Sequence, residues 1–496
     1  MRVLSKSRLL SFRQCPKKLW LEVFRRDLST DSLGTSAGFT AGRSVGNVAR
    51  QVFDPNDRGE LVDVKALGLD KAYMRSRELL GSGEAIFEGG YAACGASIFA
   101  DVLVPVGTGA SAAWRMVEVK SATGVKEYHR DDAAIQAFVA RQAGLPLQSI
   151  CIAYVDTSWT YPGSEDYRGL FLEEDLTAET MTREAEVRDW IAGAQAVLGS
   201  RVEPAISTGR HCEDPFPCGF LEYCRSREAP VEFPVTWLPN IRTKVLKAHL
   251  SAHKVTRMDQ VPDELLNERQ LRVKQSSLSG QPFFDAAGAA AALAVHGFPA
   301  FFLDFETISF AVPIWAGTRP YQSFPFQFSV HRVSESGEVQ HREFLDLAGN
   351  DPREGLALAL LAACETVGLV YVYSAYEKTQ IRELKRRLPH LAEELSALMH
   401  RLVDLRPIAE KFYYHPSQQG SWSIKDVLPA ITGHGYEELE GIKDGGMAME
   451  AYVEAIEPRT TAERRAEIGR ELKAYCALDT EGMIRIWEAF GGRPKS

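Results

Sequence analysis

A chain of 496 residues is too long for one ordinary hydrophobic core, so at least two domains are expected. Its 45% hydrophobic content holds no apolar run long enough to cross a bilayer, which excludes a helical membrane protein. A formal net charge of −9 excludes a uniformly basic nucleic-acid coat while leaving local basic grooves open. The opening residues, MRVLSKSRLLSFRQCPKK, set Arg, Gln and Lys where a signal peptide needs a continuous apolar stretch. A cytoplasmic protein with no membrane partner is expected, with its eight cysteines free of disulfides.

Residues 5–26 show apolar positions at helical spacing and predict a helix interrupted near Pro16, with Cys15 at the break and Lys17 and Lys18 beyond it. The Gly-, Ser- and Thr-rich stretch 27–46 reads as a loop entering a helix near Phe39–Phe53, and a further helix is expected around Lys71–Leu80. The stretch FADVLVPVGTGASAAWRMVEVKS (99–121) reads as two strands joined by a Gly-rich turn. Asp101 opens the first, and Glu118-Val119-Lys120 closes the second. Alternation sends Glu118 and Lys120 to one face and Val119 into the core. Pairing of the strands gathers Asp101, Glu118 and Lys120, the set that phosphodiester hydrolysis needs: carboxylates for a divalent metal and an ammonium for the water or developing charge. A solvated hairpin face is the plainer reading. A helix at 128–143 carries Gln136 about one turn from Asp132, and a buried strand follows at 149–157.

The sequence RHCEDPFPCGFLEYC sets Cys212, Cys218 and Cys224 at equal intervals among Pro and aromatic residues. Three clustered thiols plus a distant one suit a tetrahedral four-cysteine site for iron–sulfur or zinc, and Cys15 is the natural fourth. Buried small hydrophobes are the alternative. Cys94, Cys151, Cys364 and Cys476 lie in apolar stretches and are expected in the core.

Together, the early CPKK cysteine, Asp101, the Glu118-x-Lys120 strand, Gln136 and the cysteine trio resemble the RecB-type PD-(D/E)xK nucleases. The nearest type is the iron–sulfur branch that includes AddB and the CRISPR-adaptation nucleases, over residues 1–225. That resemblance implies metal ligands at Asp101 and Glu118, a catalytic Lys120, and Gln136 in the helix motif after the core strands. It also implies a 4Fe-4S cluster on Cys15, Cys212, Cys218 and Cys224, with zinc as the alternative, clipping the two ends of the domain together. The sequence departs from the pattern at Asn47, where a histidine ligand is usual, at Ala140, where Tyr is usual, and in its wide cysteine spacing.

Residues 226–297 read as a helical connector carrying Lys244, Lys247, Lys254 and Arg257, either a solvated charged linker or a nucleic-acid-tracking surface. HGFPAFFLDFETISFAVP (296–313) opens a further domain, with Asp304 and Glu306 on one face of an apolar strand. Two acids at the end of a buried strand are costly unless they bind a cation, and Mg2+ or Mn2+ is the natural occupant. A hairpin across Ser334–Glu338, a helix at 354–366, a strand at 369–374 and a helix from Tyr376-Glu377 follow, the opening order of an RNase H-like fold. Near the end, Tyr475 and Asp479 sit four apart and share a helix face.

This set resembles the DEDD exonucleases, which implies two metals on Asp304, Glu306 and Asp479, water orientation by Tyr475, and Glu377 in the place of the usual second-motif Asp. PFQFS, GSWSIKDVLP and the AYCALDT helix also look like an uncharacterised bacterial domain family fused behind RecB-type nucleases, over about 298–492. Ser421, Ser423 and Lys425 are candidates for a phosphate contact or a helix cap. Arg382, Lys385, Arg386 and Arg387 form a basic helix face. Tyr413, Tyr414 and Trp422 are candidate stacking platforms for bases, or core residues.

The expectation is an α/β protein of two nuclease modules, 1–225 and 298–496, joined by the connector. It is expected to be an Mg2+- or Mn2+-dependent hydrolase of DNA, with single strands or ends as substrate, in repair, recombination or defence. An RNA-processing exonuclease and a nucleic-acid-binding scaffold with decayed sites are the rival readings.

Overall fold

A computed structural model of the chain describes residues 3–30, 33–107, 113–436 and 439–493, and for 33–40 the course of the backbone alone. The expected Gly-rich turn of the first hairpin falls mainly on 108–112, outside the described residues. The protein is mixed α/β and divides into two compact units. One comprises Met1–Pro230 with Ser309–Gln322, the other Val231–Ile308 with Ser323–Ser496. Residues 231–297 of the expected connector therefore pack with the second unit.

In the first unit the chain runs β1 (Leu4–Ser5), α1 (Lys6–Gln14), α2 (Pro16–Phe24), α3 (Leu33–Phe53), β2 (Glu60–Leu61), α4 (Val64–Leu67) and α5 (Leu69–Leu79). It continues through β3 (Ile86–Ala93), β4 (Ala96–Val106), β5 (Ala113–Lys120), α6 (Glu127–Gln142), β6 (Leu147–Val155), β7 (Phe171–Asp175), α7 (Thr177–Thr182), α8 (Glu184–Gly199) and α9 (Leu221–Ser226). The strands form a sheet in the order β2-β3-β4-β5-β6-β7, with β1 paired to β4. Pro16 breaks the first helix as expected, because proline fits the first helical turn and not the interior. The expected 27–46 loop is shorter than its composition suggests, since α3 already begins at Leu33. Val45, Val48 and Ala49 bury one face of that helix, and once it has formed it extends through Gly, Ser and Thr at a small cost per residue.

Asp101 does not open its strand. β4 starts at Ala96, because Ala96, Ile98 and Ala100 already alternate into the core. Cys94 is not core either. It is exposed in the two-residue turn between β3 and β4, where Cys94 and Gly95 both have positive φ, as tight hairpin turns demand. The core of this unit gathers around Trp114, Phe138, Leu4 and Leu9. Helix α6 is buried along its length, and its alanines 133, 134, 137 and 140 let it lie close to its neighbours. Segment 309–322 adds Ala311 and Val312 to the cluster around Val45, Val155 and Leu170.

In the second unit the order is α10 (Lys244–Ala252), α11 (Glu268–Ser279), β8 (Phe283–Phe284), α12 (Ala286–Ala294), β9 (Ala300–Ser309), β10 (Ser323–Val333), β11 (Val339–Leu345) and α13 (Arg353–Cys364). Then come β12 (Leu369–Val372), α14 (Tyr376–Arg387), α15 (Ala392–His400), β13 (Leu402–Asp404), α16 (Arg406–Phe412), β14 (Tyr413–Tyr414), α17 (Ile424–Thr432), α18 (Gly445–Ile456) and α19 (Ala462–Ala489). The main sheet has the order β11-β10-β9-β12-β13, with β12 parallel to both β9 and β13. Strand β9 is central and covered on both faces, which explains its unbroken Ala-Phe-Phe-Leu run. Helix α19 lies along the sheet. Leu472 O accepts from Gln327 Nε2 at 2.9 Å, and the Thr480 hydroxyl meets Ser329 and His331 at 2.8 Å. Tyr413, Tyr414 and Trp422 are buried, so none offers a face to a base; the Trp422 indole N–H donates to Tyr413 O at 2.8 Å. Arg382, Lys385, Arg386 and Arg387 stand exposed on α14. No helix among the described residues is long and apolar enough to cross a membrane.

Candidate functional site

In the first unit, β4 pairs with β5 so that Val102 meets Val117, which sets Asp101 across from Glu118. Asp101 Oδ2 accepts from the Val119 N–H at 2.8 Å. Glu118 and Asp132 are almost wholly buried, each 2% exposed, and two ammoniums lie on them. Lys120 Nζ is 2.6 Å from Glu118 Oε1 and 2.5 Å from Asp132 Oδ2. Lys6, from the first turn of α1, reaches the same Glu118 oxygen at 2.6 Å and Asp132 Oδ1 at 3.3 Å. Gln136 Nε2 donates to Glu118 Oε2 at 2.5 Å and to Asp132 Oδ1 at 3.1 Å, while its own carbonyl oxygen is buried without a protein partner.

These contacts divide the acids electrically. Burial works against the charge on Glu118, but Lys120 and Lys6 outweigh it and hold this carboxyl far below the usual range. Asp101 goes the other way, pushed up to about 8 by burial and by the neighbouring Glu118. Burial opposes the charge on both lysines too, yet Asp132 and Glu118 raise each ammonium above its ordinary value. Beside Asp101 opens a cavity of about 330 Å3, lined by Asn47, Arg43, Arg50, Glu88 and Val119. Glu88 stands on β3 with φ of 55°, and burial, then Glu118, raises its carboxyl. Lys6, Asp132 and Glu88 were not among the sequence candidates. The i, i+4 spacing of Asp132 and Gln136 was the available signal for one of them.

In the second unit, Asp304 and Glu306 lie on β9, Glu377 in the first turn of α14, and Tyr475 and Asp479 on α19. One carboxylate oxygen from each of Asp304 and Glu306 and the Cys476 sulfur lie within 4.8 Å of one another. Cys476, expected as a core residue, is buried with its sulfur 3.9 Å from Asp304 Oδ2. Burial, then the charges of Asp479, Glu306 and Glu377, pushes Asp304 well above the carboxylate range. Glu306 is raised to about 8 by burial and then Asp479. Glu377, bonded by Ser374 Oγ at 2.9 Å, is raised by burial to about 7, and Asp479 by burial to about 6.

Two more side chains complete this group. The Tyr436 hydroxyl donates a short hydrogen bond to Asp479 Oδ1. Lys425 Nζ sits 5.1 Å from the ring centres of both Tyr436 and Tyr475, where its charge lowers Glu306 and Asp479. Its backbone N–H is capped by Ser423, so the Ser423 hydroxyl serves the helix end. Tyr436 lies in a short irregular stretch with no periodic signal, and was not anticipated.

Cys15, Cys212, Cys218 and Cys224 line one small cavity of the first unit together with Lys17 and Lys18. All four are unpaired thiols. Burial raises Cys218 and Cys224, and the other thiols add to it while Lys18 and Lys17 respectively counter it.

A family model described as a domain of unknown function (DUF2779) matches residues 301–423. The matched segment holds Asp304, Glu306 and Glu377, and stops before Lys425, Tyr436, Tyr475 and Asp479. No curated protein matches the chain.

Proposed function

We propose that the protein is a metal-dependent nuclease with a hydrolytic site in each unit and DNA as its substrate. The observation that carries this reading is the convergence of the buried acids Asp304 and Glu306 with Glu377 and Asp479, where Lys425 offsets the charge of Glu306 and Asp479. Buried acids that raise one another are costly to keep ionised. Their oxygen-rich donor set fits Mg2+ or Mn2+. The strand order three-two-one-four-five and the Tyr-x-x-x-Asp helix beside it support an RNase H-like exonuclease domain. In the first unit, three antiparallel strands, a helix and a parallel strand carrying Asp101, Glu118, Lys120 and Gln136 support a PD-(D/E)xK domain.

Asp304, Glu306 and Asp479, with Glu377 alongside, would hold the metal in the second unit, and Asp101 and Glu118 in the first. The bound ion would supply an activated water and charge neutralisation at the phosphodiester. Tyr436 holds Asp479 in place, Tyr475 orients the attacking water, and Lys425 faces the incoming phosphate. In the first site Gln136 fixes the Glu118 carboxylate, and Lys120, steadied by Asp132, faces the developing charge.

The four cysteines are assigned a structural thiolate-held cluster. Four clustered thiols suit a multi-iron cluster, with tetrahedral zinc as the alternative, and Lys17 and Lys18 would offset the negative charge of either.

The test is cleavage of labelled single- and double-stranded DNA and RNA with Mn2+ or EDTA, in Glu118→Gln, Asp304→Asn and the double variant. Each single change should remove one activity and the pair both. Cleavage that survives the double change defeats the assignment, and cleavage of RNA alone replaces the substrate.

A further inference from the structure

We propose that Lys6 is a second catalytic lysine of the first site, one that leaves Glu118 for the scissile phosphate when a divalent ion takes that carboxylate. The inference rests on the reading of this site as a metal-dependent nuclease. It goes beyond that reading by assigning a residue outside the Asp101, Glu118 and Lys120 set.

Glu118 Oε1 carries two ammoniums at the same 2.6 Å, and a divalent ion seeking this carboxylate meets both. One cation must give way, because a dication and two ammoniums around one carboxylate repel at short range. The two lysines are not equally held. Lys120 keeps a 2.5 Å contact with Asp132, whereas Lys6 reaches Asp132 only at 3.3 Å. Asp101 also draws Lys6 and Lys120 repels it, and Glu88 interacts with the same ammonium. Lys6 is therefore the ammonium that the metal releases.

Its backbone, by contrast, is fixed. Leu4 and Ser5 pair with Ala96 and Ser97 of β4, and Ser5 caps α1. Four methylenes then let the ammonium swing while its Cα stays beside the site. The side chain is 21% exposed, so it has an open side on which a polymer backbone can approach. There Lys6 donates hydrogen bonds to a non-bridging phosphate oxygen and transfers no proton. Hydrolysis balances as water adding across one P–O bond, with the leaving oxygen taking up a proton from solvent.

The experiment uses the full chain with the second site silenced by Asp304→Asn and Asp479→Asn. Mn2+ binding is followed by calorimetry and DNA cleavage by gel, for this parent and for added Lys6→Met, Lys6→Arg and Glu118→Gln. Mn2+ binding abolished by Glu118→Gln defines the first site. Lys6→Met should bind Mn2+ at least about fivefold more tightly, having lost its competitor, and yet cleave at least tenfold more slowly. Lys6→Arg should recover part of the rate. A Lys6 that merely supports the fold would leave the Mn2+ affinity unchanged or weaken it, and that result overturns the proposal, as does undiminished cleavage. Should Lys6→Met fail to fold, Lys6→Gln carries the same comparison. A parent with no Glu118-dependent Mn2+ binding would instead defeat the metal reading of the site, and this inference with it.

Discussion

Glu306→Gln should stabilise the metal-free protein at alkaline pH and cost it the response to metal. The Glu306 carboxyl, ordinarily near 4.5, is raised to about 8 in the folded chain by burial and by Asp479. Between those values the folded state keeps a proton that the unfolded state has released. Stability is therefore greatest below the ordinary value and falls as pH rises through the folded one. A rise from 4.5 to about 8, at ~1.36 kcal/mol for each factor of ten, sets an upper bound of about 5 kcal/mol. Part of that bound belongs to Asp479, which sheds its own proton over the same range, leaving about 2–4 kcal/mol for Glu306. An amide of the same shape escapes this cost and loses about 1 kcal/mol in imperfect hydrogen bonding. The expected gain in EDTA at pH 8.5 is an increase in Tm of roughly 2–12 °C, from a net of about 1–3 kcal/mol at about 2–4 °C per kcal/mol for a unit of this size. The assay is thermal unfolding of wild type and Glu306→Gln at pH 5 and 8.5, with EDTA and with Mn2+. At pH 5 the two should melt together, and Mn2+ at pH 8.5 should raise the wild type above the variant. A variant less stable than wild type in EDTA at pH 8.5 refutes the buried-charge reasoning. So does a wild type that Mn2+ fails to stabilise.

Other substitutions test the remaining parts. Tyr436→Phe removes the donor to Asp479, so metal-dependent cleavage by the second unit should fall about tenfold while stability changes by only about 1 kcal/mol; steady-state kinetics beside a thermal melt separates the two effects. Cys218→Ser should remove bound iron, with its brown absorption, and lower the melting temperature of the first unit; metal analysis finding one zinc and no iron would replace the cluster with a single ion. Gly420→Ala should destabilise the second unit by at least about 2 kcal/mol, since φ is 85° there and a Cβ would fall 1.7 Å from the Trp237 carbonyl oxygen; denaturant unfolding measures it.

What the sequence disclosed depended on how local the determinant was. Asp304-Phe305-Glu306 and Tyr475-x-x-x-Asp479 are legible because strand and helix periods fix their shared faces, whatever the rest of the chain does. Asp101 and Glu118 needed a pairing register, which the hairpin reading could only assume; the ladder that sets Val102 against Val117 supplies it. Lys6 gave no such sign. It reaches Glu118 because a two-residue strand pairs with β4 across some ninety positions of sequence, and no local pattern encodes that pairing. Tyr436 likewise meets Asp479 from an irregular stretch. Cys94 was misread because hydrophobic surroundings suggest burial, whereas the turn geometry that exposes it is set by the two strands it joins.

The two sites solve the problem of buried acids in opposite ways, and this bears on how a metal would act in each under the proposed reading. In the first, Glu118 and Asp132 are matched by Lys6 and Lys120, so the pocket carries its charges without a divalent ion. A metal arriving there must displace an ammonium, and its net contribution to folding is correspondingly small. In the second, Asp304, Glu306, Glu377 and Asp479 all have raised carboxyls, with Lys425 offsetting only Glu306 and Asp479, so at neutral pH the group either holds protons or takes a cation. Binding there relieves repulsion already present in the folded chain, and mass action turns that relief into stability. On the proposed reading, metal-induced stabilisation would therefore belong to the second pocket. In the first, a metal would act by rearranging charges that the fold has already balanced.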